Sequence, residues 1–213
     1  MGRVTGAQEE RAALVETMKK VGPDAPTLCE GWTTRDLLAH LVVRERRPDT
    51  GPGILIPAFA GYTEKVRAGA ARRDFDELLA ELASGPPIYS PFKLVDRFAN
   101  LAEMFVHHED VLRGGADPEG RWTPRTLSPD LEAELRGPVT SMAKMTLKRI
   151  PARVTLRTTT GEDLVTVGSG KDVVVTGSIG ELVLFAFGRR PVAVTFDGDP
   201  DAIATVRESS HGL

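Results

Sequence analysis

Apolar residues recur at three- and four-residue intervals through the first half of the chain, and β-branched runs are scarce there, so this half reads as amphipathic helices. Ala12, Ala13, Leu14, Val15 and Met18 mark a first helix that ends near Gly22-Pro23, a strong stop signal. Thr33 precedes a second helix, with Asp36 at its third position as in a capping box. Leu37, Leu38, Leu41 and Val42 form its buried stripe, and His40 lies at the edge of that stripe. The stretch from Arg47 to Pro57, with three prolines and two glycines, reads as a loop long enough to carry function. Phe59 to Ala71 is ambiguous. Asp74 to Ala83 is a clearer helix, with Phe75, Leu78, Leu79 and Leu82 inward and Gly85-Pro86-Pro87 ending it.

A longer helix is predicted from about Pro91 to Arg113, with proline at its start and Gly114-Gly115 at its end. It carries a polar row, Asp96, Asn100, Glu103, His107 and Asp110, nearly opposite Leu94, Phe98, Leu101, Phe105 and Leu112. Such a row on a helix that is otherwise largely apolar faces water, a cavity or an ion. Glu103 and His107 are four residues apart, about 40° around the axis, so both can converge on one ion. A solvated face has the same spacing. His108 neighbours Leu101, Met104 and Leu112 and reads as a structural or surface histidine.

The pattern changes after Pro118. Arg125 to Lys148 is mostly helical, with Ser128 as N-cap and Pro129 at the first position. From Pro151 it alternates and becomes β-branched: 154–158, 164–167 and 173–176 are predicted strands, with turns at Gly161 and Gly170. A helix from Ile179 to Phe187, a strand from Val192 to Phe196, a turn at Asp197-Gly198-Asp199 and a helix from Pro200 to Arg207 complete the prediction. Helices first and strands later make an α+β chain. The expected division is a helical bundle over 1–118 and a small α+β domain over 119–213, of which 119–150 is a mostly helical connection.

Composition narrows the function classes. With 41% hydrophobic and 27% charged residues, the 213-residue chain has material for a real core. The net charge of −3, without a basic cluster, speaks against a nucleic-acid partner. Cys29 is the single cysteine, which excludes an internal disulfide and any cysteine-cluster metal site and suits a reducing, cytoplasmic setting. The polar first ten residues do not resemble a signal peptide, and no apolar run approaches the ~18 residues of a membrane span.

No glycine-rich phosphate loop follows a strand, and Gly177-Ser178-Ile179-Gly180 reads as a strand-to-helix turn. No basic neighbour in sequence activates Cys29 as a nucleophile. Trp32 reads as a core anchor. Asp36 either caps its helix or hydrogen-bonds the second ring nitrogen of His40. Two histidines and a carboxylate would leave open coordination positions, which suits a catalytic divalent metal better than a structural one.

The segment Cys29-Glu30-Gly31-Trp32-Thr33-Thr34-Arg35-Asp36-Leu37-Leu38-Ala39-His40-Leu41 resembles the Gly-Trp-Thr, then Asp-Leu-Leu-Ala-His, motif of the mycothiol-dependent maleylpyruvate isomerase family, within the DinB-like superfamily of metal-binding helical bundles. Glu103-Met104-Phe105-Val106-His107 is similar to its second motif. The resemblance covers roughly Gln8 to Gly115, and more weakly Arg153 to Arg207 is similar to the family's sterol-carrier-like C-terminal domain. Within the family the chain looks nearest to an actinobacterial subgroup of metal-binding proteins. The resemblance implies an N-terminal four-helix bundle holding a divalent metal, usually zinc, through His40, Glu103 and His107. It also implies mycothiol as cosubstrate, with the metal-stabilised thiolate attacking a small electrophile in an isomerisation or thiol transfer. The Arg- and Pro-rich stretch from Arg44 to Pro57 departs from the isomerase pattern. Arg189, Arg190 and Arg207 read either as contacts to an acidic thiol or substrate, or as plain surface arginines. Expected partners are a small thiol and a small-molecule electrophile, with a homodimer as one assembly open to the chain. The competing reading is a non-enzymatic module that keeps the metal and sequesters an apolar ligand, on the strength of Leu182, Val183, Leu184, Phe185 and Phe187.

Overall fold

The computed structural model describes residues 5–50, 57–90 and 97–209. Two compact units divide the chain, residues 1–115 and 116–213.

Among the described residues the first unit contains five α-helices: α1 (Gly6–Val21), α2 (Thr34–Arg46), α3 (Pro57–Ala70), α4 (Phe75–Ala83) and α5 (Arg97–Leu112). Two of them start on full capping boxes, Thr5 with Gln8 and Thr33 with Asp36, in which each side chain satisfies a backbone N–H of the other residue. Asp74 caps α4 by accepting from the Glu77 N–H. The ambiguous stretch near Phe59 is helical. The predicted beginning of α5 at Pro91, with Leu94 and Asp96, lies outside the described residues, as does most of the loop expected before Pro57.

Leu14 and Met18 of α1, Leu37, Leu38 and Leu41 of α2, Leu78 and Leu82 of α4 and Met104 of α5 are all fully buried in one cluster. Phe75 and Trp32 pack against its side. Leu112, predicted in the apolar stripe of α5, is instead 37% exposed at the end of the helix, while Glu109, Asp110 and Val111 of the same turn are buried. Arg11 and Glu45 are a buried polar pair: Arg11 forks onto the Glu45 carboxylate and also donates to the Leu82 carbonyl at 2.9 Å. His108 is a buried structural histidine, with Nδ1 3.0 Å from Glu10 and Nε2 2.9 Å from Thr17.

A close backbone approach secures the segment between α1 and α2. A Cβ on Gly114, just past α5, would fall 1.8 Å from the Pro26 carbonyl oxygen, so only glycine lets the two backbones meet. The Leu28 N–H donates to the Asp110 carbonyl at 2.9 Å in the same place. The loop that carries Cys29 and Trp32 is thereby seated on the last turn of α5.

The second unit is α+β. After α6 (Pro129–Thr146), which starts on Ser128 and Pro129 as expected, come β1 (Arg153–Thr158), β2 (Asp163–Gly168), β3 (Asp172–Gly177), α7 (Ile179–Ala186), β4 (Thr195–Gly198) and α8 (Pro200–Ser209). The sheet order is β2-β1-β3-β4, with β1 and β3 parallel and both outer strands antiparallel to their neighbours. Val154 and Leu156 of β1 and Val173 and Val175 of β3 point inward at period two. Every residue of α7 is buried, so core packing accounts for Leu182, Val183, Leu184 and Phe185. Gly177 to Gly180 is the strand-to-helix turn that its composition suggested.

The last strand departs from expectation, lying at 195–198 rather than 192–196. The Ala193 N–H donates to the buried Glu181 carboxylate at 2.7 Å instead of joining a ladder, so pairing begins only at Thr195. Asp197 and Gly198, predicted as a turn, end β4, and Asp199 accepts from the Asp201 and Ala202 N–H groups at the start of α8. Among the described residues, no helix is long and apolar enough to cross a membrane.

Candidate metal centre

Burial sets the rotation of both helices that carry the candidate ligands. Leu37, Leu38, Ala39 and Leu41 are fully buried, which leaves His40 at the half-buried edge of α2. On α5, Leu101, Met104 and Phe105 face the core, turning Glu103 and His107 together to one side. The two helices bring the three side chains to one place. His107 Nε2 is 3.2 Å and His40 Nε2 3.8 Å from Glu103 Oε1, and the imidazole centroids are 5.7 Å apart.

Charge and hydrogen bonding couple the group. Burial works to raise the Glu103 carboxyl, but the hydrogen bond from His107, the nearby His40 ring and the charge of Arg44 hold it well below the usual carboxylate range. Burial works to lower His107, yet hydrogen bonds to Asp110, Cys29 and Glu103 hold it well above the usual histidine value. The His107 ring thus lies between two carboxylates, Glu103 at Nε2 and Asp110 at Nδ1.

The donor set fits a divalent cation. A tetrahedral zinc with bonds of about 2.0–2.2 Å sets its donor atoms roughly 3.3–3.6 Å apart. The observed 3.2 Å and 3.8 Å bracket that spacing, and the three donor atoms all lie within 4.8 Å of one another. Two imidazole nitrogens and a carboxylate oxygen are also the ligand chemistry that zinc and similar ions take.

A family profile described as "Mycothiol maleylpyruvate isomerase N-terminal domain" matches residues 4–132. The chain belongs to that family. Two solved structures are similar over 90% of this chain and 90% of theirs: the mycothiol-dependent maleylpyruvate isomerase, at 16% identity and a TM-score of 0.59, and a single-substitution variant of it, at 15% and 0.59. At that identity the likeness is one of fold, and it extends across both units. No curated protein matches the chain.

Several neighbours were not legible as parts of the site. Arg44 Nε lies 3.3 Å from Glu103 Oε1, one helical turn past His40. Asp110 Oδ2 is 2.9 Å from His107 Nδ1 and accepts from Cys29 Sγ at 3.3 Å. Membership of the polar row was the available signal for Asp110, and the four-residue step from His40 was the signal for Arg44. Trp32 packs against the core as expected, but its ring also stands 5.3 Å from that of His40. Arg67 lies over the Trp32 ring at 4.9 Å, bound to Asp36 and forked onto Glu64.

Asp36 serves its helix rather than His40. Its Oδ2 accepts from the N–H and hydroxyl of Thr33, and its Oδ1 accepts from Arg67. In the second unit, Arg189, Arg190 and Arg207 line a cavity of about 180 Å³ with Phe185 and Phe196. There Arg190 pairs with Glu119 at 2.9 Å, and Arg207 stacks on Phe196 at 4.5 Å.

Proposed function

We propose that this chain is a divalent-metal- and mycothiol-dependent isomerase or thiol transferase acting on a small electrophile, with His40, Glu103 and His107 holding the ion. The observation that carries the reading is the convergence of three zinc-type donors from two segments more than sixty residues apart, within 4.8 Å of one another. Family membership supplies the thiol, because the family and both similar structures are named for mycothiol. When bound, a divalent cation favours the thiolate of a coordinated thiol over the thiol itself.

The remaining roles belong to the chain. His107, His40 and Arg44 together hold Glu103 well below the usual carboxylate range, so the carboxylate is ready as a ligand at neutral pH. Three protein donors leave coordination positions for a thiol or water. Arg67, neutralised by Asp36 and Glu64, steadies Trp32, which forms an apolar wall beside His40. Such a wall excludes water from one side of the site and strengthens the charge interactions there.

Purified protein is expected to hold about one zinc, which His40→Ala removes. In a cobalt-substituted form, mycothiol is expected to shift the visible spectrum. Zinc bound without any spectral response to mycothiol would end the thiol part of the reading, and absence of metal binding would end the whole of it.

A further inference from the structure

The ring nitrogen of His107 that faces away from Glu103 has a dedicated partner. Nδ1 lies 2.9 Å from Asp110 Oδ2, and Asp110 is fully buried. The same oxygen accepts from the Cys29 thiol at 3.3 Å. Asp110 stands in the last turn of α5, where the helix dipole disfavours a negative charge. Helix stability therefore does not explain a buried carboxylate at this position. Its contacts do: Oδ2 is placed to accept from a proton on Nδ1, an arrangement that leaves Nε2 as the nitrogen able to bind a cation.

We propose that Asp110 is the positioning residue of the metal centre, fixing the tautomer and ring orientation of His107, with the Cys29 thiol fixing the carboxylate in turn. This rests on the reading of His40, Glu103 and His107 as ligands. The loop holding Cys29 is seated on α5 through Leu28 and Gly114, so the relay Cys29–Asp110–His107 is built on backbone contacts. Carboxylate partners of this kind orient ligating histidines, and their loss typically weakens metal binding about 10- to 100-fold.

The test combines zinc affinity, measured by competition with a chromophoric chelator, and heteronuclear NMR of labelled histidine in the metal-free protein. Wild-type His107 is expected to carry its proton on Nδ1 once the ring is neutral, and Asp110→Ala and Asp110→Asn to bind zinc about 10- to 100-fold more weakly. A merely structural role would lower the melting temperature without moving the protonated nitrogen. Cys29→Ala, which leaves the carboxylate in place, is expected to shift the Nδ1–H resonance and weaken zinc binding by less than the Asp110 variants do.

A neutral ring protonated on Nε2 in the wild type, or an Asp110→Ala protein that binds zinc as tightly as the wild type, would overturn the proposal. So would a sulfur-to-cobalt absorption band in thiol-free protein that Cys29→Ala abolishes, since the ion would then occupy the Cys29, His107 and Asp110 donors instead. If the wild type binds no zinc while Asp110→Ala still moves the ring proton, the metal reading fails and the control of His107 by Asp110 stands.

Discussion

Arg44 and His40 meet the same oxygen of Glu103, at 3.3 Å and 3.8 Å. A fixed guanidinium thus stands beside the carboxylate proposed to bind a doubly charged ion. Near a protein surface, unit charges at ~4 Å interact by about 4 kcal/mol, so repulsion between Arg44 and the ion is not negligible. Arg44→Met is expected to tighten zinc binding several-fold at neutral pH, as read by chelator competition. Weaker binding would show that orientation of Glu103 by Arg44 outweighs repulsion.

The raised His107 and lowered Glu103 set the pH response of the metal-free protein. His107 contributes stability that is fully present below its ordinary value of 6.5 and is lost as pH rises through its raised folded value. Glu103 contributes stability that is present above 4.5 and is lost as pH falls through its depressed folded value. The melting temperature of the wild type should therefore exceed that of His107→Gln most below pH 6.5, with the gap closing in alkali. Zinc reverses the trend, because the ion displaces a proton, and its stabilisation of the wild type is expected to grow with pH.

Gly114→Ala tests whether the site depends on the seating of the Cys29 loop. The added Cβ would fall 1.8 Å from the Pro26 oxygen, so the loop must lift from α5. Destabilisation of about 1–3 kcal/mol is expected in chemical denaturation, from strain and from the hydrogen bond of Leu28 to Asp110. Zinc affinity should fall with it, as Cys29 leaves Asp110.

Arg11 and Glu45 form a buried pair, with side chains 11% and 1% exposed. Removing one partner leaves the other charge buried, so Arg11→Met is expected to cost about 3–5 kcal/mol in urea unfolding. The double variant Arg11→Met with Glu45→Met should recover much of that loss. A double variant no more stable than Arg11→Met would show that the hydrogen bond from Arg11 to the Leu82 carbonyl carries the effect.

Local chemistry made much of the molecule readable. The Thr33 and Asp36 box, the Ser128 cap and the period-two runs of β1 and β3 each specify their element within a few residues, because the groups that satisfy the backbone lie close in sequence. The strand at 192–196 misread for the same reason. Its alternation was sound, but the Glu181 carboxylate, twelve residues back, takes the Ala193 N–H first.

By itself the sequence determined the α+β order and the pairing of Glu103 with His107, since a four-residue step on a helix fixes that neighbourhood whatever the fold around it. Only the tertiary structure decided that His40 joins the pair, that Arg44 stands against Glu103, and that Cys29 reaches Asp110 across 81 residues. The physical reason is that helix geometry acts over one or two turns, whereas contacts between distant segments depend on how buried side chains and close backbones lock the elements together.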